Sequence, residues 1–313
     1  MLGTVDWKIS KRELQWPAQR CPPSVYNYPM NRPVVQDIVR IIAIAAVGVV
    51  AFAAGLWIWG NWHDEWSGYN AQFSVSNGSC NIAIVPIVGD ITTLPQGQED
   101  GSDAADSYPS TNADDVLYQL RLAESDPYIQ GILVRIDSLG GSPVASEIMA
   151  DALKRASLPV AALIREYGTS GGYLVATGAD AIFASPLSDV GSIGITMSYL
   201  ENWEKNAKEG LRFVSLSSGK FKDYGNPDKP LTSDERALLE RDLKIYHEAF
   251  VKKVAENRGL PVETIAKLAD GSSMPGELAL KNKLIDTPGN QASTRAWFAE
   301  QLKIAPEEVV FCE

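Results

Sequence analysis

After position 80, short apolar runs alternate along the chain with amphipathic segments. The runs with the length of strands, rich in valine, isoleucine and alanine, are 81–92, 131–136, 160–165 and 181–184. The segments with apolar residues at helical spacing are 113–125, 144–156, 173–179 and 232–257. Strands and helices that alternate in this way predict an α/β domain with crossover connections.

The remaining segments have weaker patterns. Two stretches, 96–112 and 217–227, have the composition of loops, and 137–143 predicts a turn. Further strands are predicted at 190–196, 213–216 and 308–311, and further helices at 200–209, 261–268 and 276–283. Asn112 and Thr232 are predicted to cap the helices that follow them, Thr232 through a capping box with Glu235.

The longest apolar run precedes this domain. Residues 41–59 carry no charge and end in Trp57 and Trp59, which is the pattern of a membrane-spanning helix with an aromatic belt. The alternatives are a buried core helix and a cleavable signal peptide. The run is too long for a signal peptide, and forty residues precede it. Basic residues predominate before the run and Asp64 and Glu65 follow it, which predicts a cytoplasmic N-terminus.

We therefore expect four parts: a proline-rich basic cytoplasmic tail (1–38), a transmembrane helix (39–60), a tether (61–79) and an extracytoplasmic domain (80–313). The predicted location is the cell (inner) membrane. The chain has a formal net charge of −11, and without the six basic and three acidic residues before position 41 the net charge is −14. This acidity argues against nucleic acid as a partner.

The cysteines do not have metal-ligand spacing. Cys21 lies in the tail, whereas Cys80 and Cys312 flank the first and last apolar strands of the exported part. Those two cysteines would share an oxidising compartment, which permits a disulfide between them. Spacing alone does not decide between this disulfide and two unpaired thiols, so both alternatives stay open.

One serine stands among glycines where a strand gives way to a helix. The segment 168–173 places Ser170 directly before Gly171, so its hydroxyl would lie at the positive end of a helix. The N–H groups of Gly141 and Gly171 could form an oxyanion hole for acyl transfer. The plainer alternatives are that Ser170 only caps the helix and that the glycine pair at 140–141 is only a turn.

A serine nucleophile needs a base to take its proton. The two histidines, His63 and His247, lie beside the apolar run and within a long charged helix, and neither is a persuasive base. A lysine shielded from water is the substitute, since burial lowers its pKa toward neutrality. Lys220 and Lys222 are candidates, and a solvated lysine is the alternative for each.

Four ordered segments, 138–142, 169–173, 191–194 and 219–223, resemble the signal peptide peptidase A family of membrane-bound serine peptidases, within the Clp protease and crotonase superfamily. The resemblance covers residues 81–289. It implies a spiral of ββα units and a homo-oligomeric ring with active sites facing an inner chamber. It also implies cleavage of remnant signal peptides or other short extended peptides, without metal or nucleotide cofactors.

The resemblance assigns a role to each matching residue. Ser170 corresponds to the nucleophile, Lys222 to the general base and Ser192 to the serine that orients the lysine. Gly141 and Gly171 correspond to the oxyanion-hole positions. Leu139 departs from the family, which usually has proline there. Two other functions stay open: a catalytically silent ring that binds peptides, and a crotonase-type acyl-CoA enzyme.

Overall fold

The computed structural model of this 313-residue chain describes Gly48 and residues 78–94 and 109–312. The chain divides into two units, Met1–Asn70 and Ala71–Glu313. The predicted tail, transmembrane helix and tether lie outside the described residues, apart from Gly48, which is helical, and the last two tether positions. Within the described ranges, no helix is both long and apolar enough to span a bilayer.

A nine-stranded mixed sheet organises the described part of the second unit. Its strands are β1 (Ile82–Thr92), β2 (Ser110–Asn112), β3 (Gly131–Gly141), β4 (Val160–Thr169), β5 (Ala181–Ala184), β6 (Asp189–Gly191), β7 (Ser273–Pro275), β8 (Thr287–Pro288) and β9 (Phe311–Cys312). The main path runs β2-β1-β3-β4-β5-β8, with β9 beside β1 and β6 beside β4. Only the β6–β7 pairing is antiparallel among the described strands.

The helices lie mainly between the strands, as the alternating pattern predicts. They are α1 (Ala113–Ser125), α2 (Pro143–Lys154), α3 (Gly171–Ala176), α4 (Trp203–Lys208), α5 (Ser233–Arg258), α6 (Val262–Ala266), α7 (Gly276–Lys281) and α8 (Gln291–Leu302). The predicted caps are confirmed: Asn112 accepts from the Asp115 N–H, and Thr232 forms a capping box with Glu235.

The central strands are buried on both faces, which explains their nearly continuous apolar sequences. On one face, side chains such as Val134 and Ile136 pack with α1, α2, α3 and α5. On the other face, Leu133 and Leu163 pack around Phe298 of α8. The carboxyl ends of β3 and β4 therefore emerge from a rigid core, and the candidate serine lies at one of them.

The spans of the first, fourth and fifth strands and of α1 and α5 confirm the sequence predictions to within a few residues. The turn predicted at 137–143 was wrong, because β3 continues to Gly141 in parallel pairing with β1. The loop predicted to reach residue 112 was also wrong at its end, where residues 110–112 form β2. Helix α8 had not been predicted.

The segment after β6 differs most from the prediction. The strand predicted at 190–196 ends at Gly191, and the one predicted at 213–216 is absent from this described segment. Every residue from 211 to 220 is exposed, and none of them lies in a strand. The loop predicted at 217–227 is confirmed as a series of turns.

Gly178→Ala is expected to destabilise the domain, because α2 approaches the chain here without room for a side chain. A Cβ at Gly178 would lie 2.3 Å from the Ala150 carbonyl oxygen, which is a backbone atom and cannot rotate away. We expect a loss of about 2 kcal/mol in the free energy of unfolding, measured by urea denaturation. Gly219→Ala is the matched control, since its Cβ would meet no atom within 4 Å. Equal stability of the two variants would contradict the packing argument.

Candidate active site

Ser170 lies in a strained turn between β4 and α3. Its backbone has φ 51° and ψ −122°, in a region that residues with side chains rarely adopt. The turn is fixed by the Ser170 N–H, which donates to the Gly191 carbonyl at 2.7 Å. Although Ser170 occupies the N-cap position of α3, its side chain makes no capping hydrogen bond. The capping alternative therefore does not account for this serine, and strain of this kind is concentrated at functional sites.

Glycines surround Ser170 because backbone segments approach it closely. A Cβ at Gly140 would lie 3.1 Å from the Ser170 Oγ and 2.9 Å from the Gly171 nitrogen. At Gly171 it would lie 2.3 Å from the Ser146 Oγ, and at Gly172 it would lie 2.8 Å from the Ser138 carbonyl oxygen. The glycine-rich sequence around the serine is thus required by the close approach of β3 and α2 to this turn.

Gly141 and Gly171, the predicted oxyanion-hole residues, line one cavity together with Ser170. A Cβ at Gly171 would lie 3.4 Å from the Gly141 nitrogen, so the two backbones meet beside the serine. This arrangement can direct backbone N–H groups toward a developing negative charge.

Hydrogen bonds hold the end of β3 that carries Gly141. The buried Ser138 hydroxyl donates to the Gly89 carbonyl at 2.6 Å and accepts from the Gly140 N–H at 3.1 Å. The Thr169 hydroxyl donates to the Leu139 carbonyl at 3.2 Å. Leu139, which replaces the usual proline, therefore lies in a segment that side-chain hydroxyls already restrain.

Helix α3 is anchored behind Ser170 by a buried tyrosine. The Tyr173 hydroxyl donates to the Leu284 carbonyl at 2.8 Å, and burial raises the pKa of this phenol, so it stays protonated. Nearby, Arg258 forms two hydrogen bonds with the Asp286 carboxylate and also donates to the Lys283 carbonyl. These contacts fix the helix whose first turn presents Ser170.

The cavity beside Ser170 has a volume of about 460 Å³ and lies between α2 and α5. Its apolar lining residues are Leu139, Pro143, Val144, Leu174, Ile195, Ala249 and Phe250, with Tyr246 on the same face of α5. An apolar cleft of this size next to a serine hydroxyl is suited to hold a side chain of a bound peptide.

The same cavity is lined by a lysine that the sequence motifs do not indicate. Lys253 Nζ is 2.9 Å from Asp151 Oδ1 and 3.9 Å from Glu147 Oε1. The hydrogen bond that Lys253 donates to the Asp151 carboxylate raises the pKa of Lys253, so this lysine stays protonated and is not a suitable base. The only signal in the sequence was its helical spacing from Tyr246 and Phe250, which does not reveal the acidic partners on α2.

Ser192 lies apart from the cavity lining. It also has a positive φ, 52°, and its hydroxyl donates to the Gly271 carbonyl at 3.0 Å. Its N–H donates to the Ser272 carbonyl, also at 3.0 Å. With its proton engaged, the hydroxyl oxygen can still accept a hydrogen bond from an ammonium group. Its role in orienting a lysine stays a prediction.

Lys222 lies in an exposed turn and is not among the residues that line the Ser170 cavity. Lys220, the other candidate, forms an ion pair with Asp234 at 2.8 Å. His247 is half-buried on α5 outside the cavity lining, and His63 lies outside the described residues. The structure thus groups Ser170 with the two glycines, while the role of Lys222 as the base stays a prediction.

The fold and site define an α/β protein with a serine on a strained strand-to-helix turn beside an apolar cleft. Residues 152–305 match the sequence model of peptidase family S49. A candidate protease from Synechocystis is 33% identical over 196 residues, which cover 62% of this chain and 70% of that protein. The chain belongs to peptidase family S49, which confirms the family that the four sequence segments indicate.

Two further relatives are more distant or are covered less completely. A candidate protease from Methanocaldococcus jannaschii is 32% identical over 201 residues, 63% of this chain and 65% of that protein. A candidate signal peptide peptidase SppA from Enterococcus faecium is 27% identical over 202 residues, 64% of this chain and 59% of that protein. In both cases the match spans less than two thirds of the relative.

Among solved structures, a mutant ClpP1 from Listeria monocytogenes aligns with a TM-score of 0.43 and 17% identity. The alignment covers 66% of this chain and 91% of that one.

Proposed function

We propose that this protein is a membrane-anchored serine endopeptidase with a Ser170–Lys222 dyad. Its substrates are remnant signal peptides or other short extended peptides near the membrane. The observation that carries the proposal is the strained Ser170, free of a capping bond and placed at an apolar cleft, in a chain of peptidase family S49. The proposal includes the Clp protease and crotonase type of fold, a spiral of ββα units.

In the proposed reaction, the neutral amine of Lys222 takes the proton of Ser170 as Oγ attacks the substrate carbonyl carbon. The oxyanion is held by the N–H groups of Gly141 and Gly171. Lys222, now an ammonium oriented by Ser192, gives its proton to the departing amine, and the peptide bond breaks. Water then hydrolyses the acyl-enzyme with Lys222 again as the base. The chemistry uses no metal or nucleotide.

The dyad is completed in a homo-oligomeric ring, in which a neighbouring copy supplies Lys222. The segment 195–224, here called the arm, exposes many large apolar side chains. They are Met197, Tyr199, Leu200, Leu211, Phe213, Val214, Leu216 and Tyr224. Leu200 is 86% exposed and Leu216 is 93% exposed, which is unusual for side chains that stay in water. A contact between this arm and a different surface of the next copy generates a ring.

Two observations support the proposed location. The 41–59 run is the proposed bilayer anchor, with the basic tail on the cytoplasmic side. In the structure Cys80 and Cys312 form a disulfide, which supports placement of this domain in an oxidising, extracytoplasmic compartment.

Labelling with a fluorophosphonate probe tests the proposed nucleophile. The full-length assembled protein in detergent is expected to incorporate the probe at Ser170, and Ser170→Ala is expected to abolish labelling. Ser125→Ala is the control, since that hydroxyl lies on α1 and donates to the Arg121 carbonyl. Absence of labelling in the folded, assembled wild type would contradict the peptidase and favour a catalytically silent peptide-binding ring.

A further inference from the structure

The cavity next to Ser170 carries charges that the proposed reaction does not use. Glu147 on α2 and Lys253 on α5 both line it, and their charged atoms are 3.9 Å apart. Lys253 also donates to Asp151 at 2.9 Å. The lining of the cavity is therefore mainly apolar but includes two charged side chains.

These charges lie on the two helices that line the cavity. On α2, Pro143 lies beside the Gly141 end of the cavity, and Glu147 follows about 6 Å further along the helix axis. On α5, Tyr246, Phe250 and Lys253 share one face, so the apolar rings precede the ammonium. Leu174, Phe250 and the charged groups thus line the same cavity as Ser170.

The charged groups around Lys253 have an excess of negative charge, and of these groups only Glu147 and Lys253 line the cavity. The cationic groups are Lys253 and Arg155, which is 3.9 Å from Asp151. The anionic groups are Asp151, Glu147 and Glu256, all of which act on Lys253 and raise its pKa. Because Asp151 already neutralises Lys253, the Glu147 carboxylate is the acceptor still available. Its side chain is 57% exposed and accepts no hydrogen bond from the described residues.

On the basis of the proposed peptidase function, we infer that this cavity binds the side chain of the residue whose carbonyl Ser170 attacks, and that Glu147 selects lysine or arginine there. That residue is the relevant one because its Cα is bonded directly to the attacked carbon. The long alkyl stem packs against Val144, Leu174 and Phe250. The cationic head is paired with Glu147 beside the Tyr246 ring, while an acidic side chain is repelled.

Three peptides that differ only at this residue test the inference: lysine, norleucine and glutamate. Norleucine keeps the alkyl stem without the charge. The assembled wild-type protein is expected to cleave the lysine peptide with a kcat/KM about threefold above that for norleucine, with glutamate the poorest. Glu147→Gln is expected to bring the lysine-to-norleucine ratio close to one. Glu147→Lys is expected to favour glutamate over lysine.

Glu248→Gln is the matched control, because it makes the same charge change on α5 but outside the cavity lining. Like Glu147, Glu248 has a lysine ammonium nearby: its Oε1 is 3.8 Å from Lys244 Nζ. It is expected to keep the wild-type ratio. Equal cleavage of the lysine and norleucine peptides by the wild type, or an unchanged ratio in Glu147→Gln, would overturn the inference and leave the peptidase proposal intact.

Absence of cleavage of every peptide would instead contradict the peptidase proposal, so binding is measured as well. Calorimetry with the Ser170→Ala protein is expected to give a Kd for the lysine peptide about threefold below that for norleucine. Adding Glu147→Gln is expected to remove this difference. Equal Kd values for the lysine and norleucine peptides in Ser170→Ala would overturn the subsite without reference to catalysis.

Discussion

Lys222→Ala is expected to lower kcat/KM for peptide cleavage by on the order of 10³-fold, since Ser170 then lacks a group to accept its proton. The fold should be retained, because Lys222 is exposed and its side chain forms no hydrogen bond with the described residues. Acyl-enzyme formation, followed in single-turnover experiments, is the measurement. Lys220→Ala is the matched control, because that ammonium is paired with Asp234. Normal acylation by Lys222→Ala would refute the assigned base.

Co-assembly of two inactive variants locates the source of the lysine. Rings formed from equal amounts of Ser170→Ala and Lys222→Ala subunits contain sites with an intact serine from one copy and an intact lysine from the next. If the lysine crosses the subunit boundary, about a quarter of the wild-type activity is expected to return. If each subunit supplies both groups, no mixed site is complete and activity stays absent. This second result would contradict the proposed role of the arm.

The parts of the fold that the sequence predicts well are those with strong local signals. Helices α1 and α5 combine helical spacing with capping residues, Asn112 and Thr232, that satisfy their first N–H groups. Strand β3 was predicted too short, because Asp137 to Gly141 look like a turn until the parallel partner β1 is present. Pairing of this kind depends on a segment far away in the sequence.

Helix α8 was missed because its apolar pattern is weak. Of its twelve residues, Thr294, Phe298 and Ala299 are buried, and polar or small residues fill most other positions. Its place in the fold is set by Phe298, which packs against Leu133 and Leu163 on the face of the sheet opposite α3. Tertiary packing rather than intrinsic propensity therefore decides this helix.

The candidate site shows the same division between local and distant signals. Ser170 and its glycines were predictable, because close backbone approach leaves a local trace in the sequence. Glu147 and Lys253 were not, since about a hundred residues separate them along the chain and only the packing of α2 against α5 brings them to one cavity. The sequence thus indicates where bond cleavage would occur, while the tertiary structure indicates which side chain lies beside it.

The Cys80–Cys312 disulfide had been left open because cysteine spacing alone cannot decide a pairing. The structure provides the reason for the pairing: β9 lies beside β1, with Ala83 opposite Cys312, and the two cysteine Cα atoms are 5.2 Å apart. The bond joins positions 232 residues apart and ties the last strand to the first. It therefore closes nearly the whole domain into one loop.

Cys80→Ser is consequently expected to lower the free energy of unfolding by about 4 kcal/mol, because opening so long a loop greatly increases the conformational entropy of the unfolded chain. Urea denaturation of the full-length protein in detergent is the measurement, and the wild type in reductant should lose a similar amount. Cys312→Ser should match Cys80→Ser, and the double variant should lose no more than either one. Cys21→Ser is the control for removal of a thiol. Equal mobility of wild type and Cys80→Ser on a non-reducing gel would show that the bond does not form, and the argument for an oxidising compartment would lose its structural support.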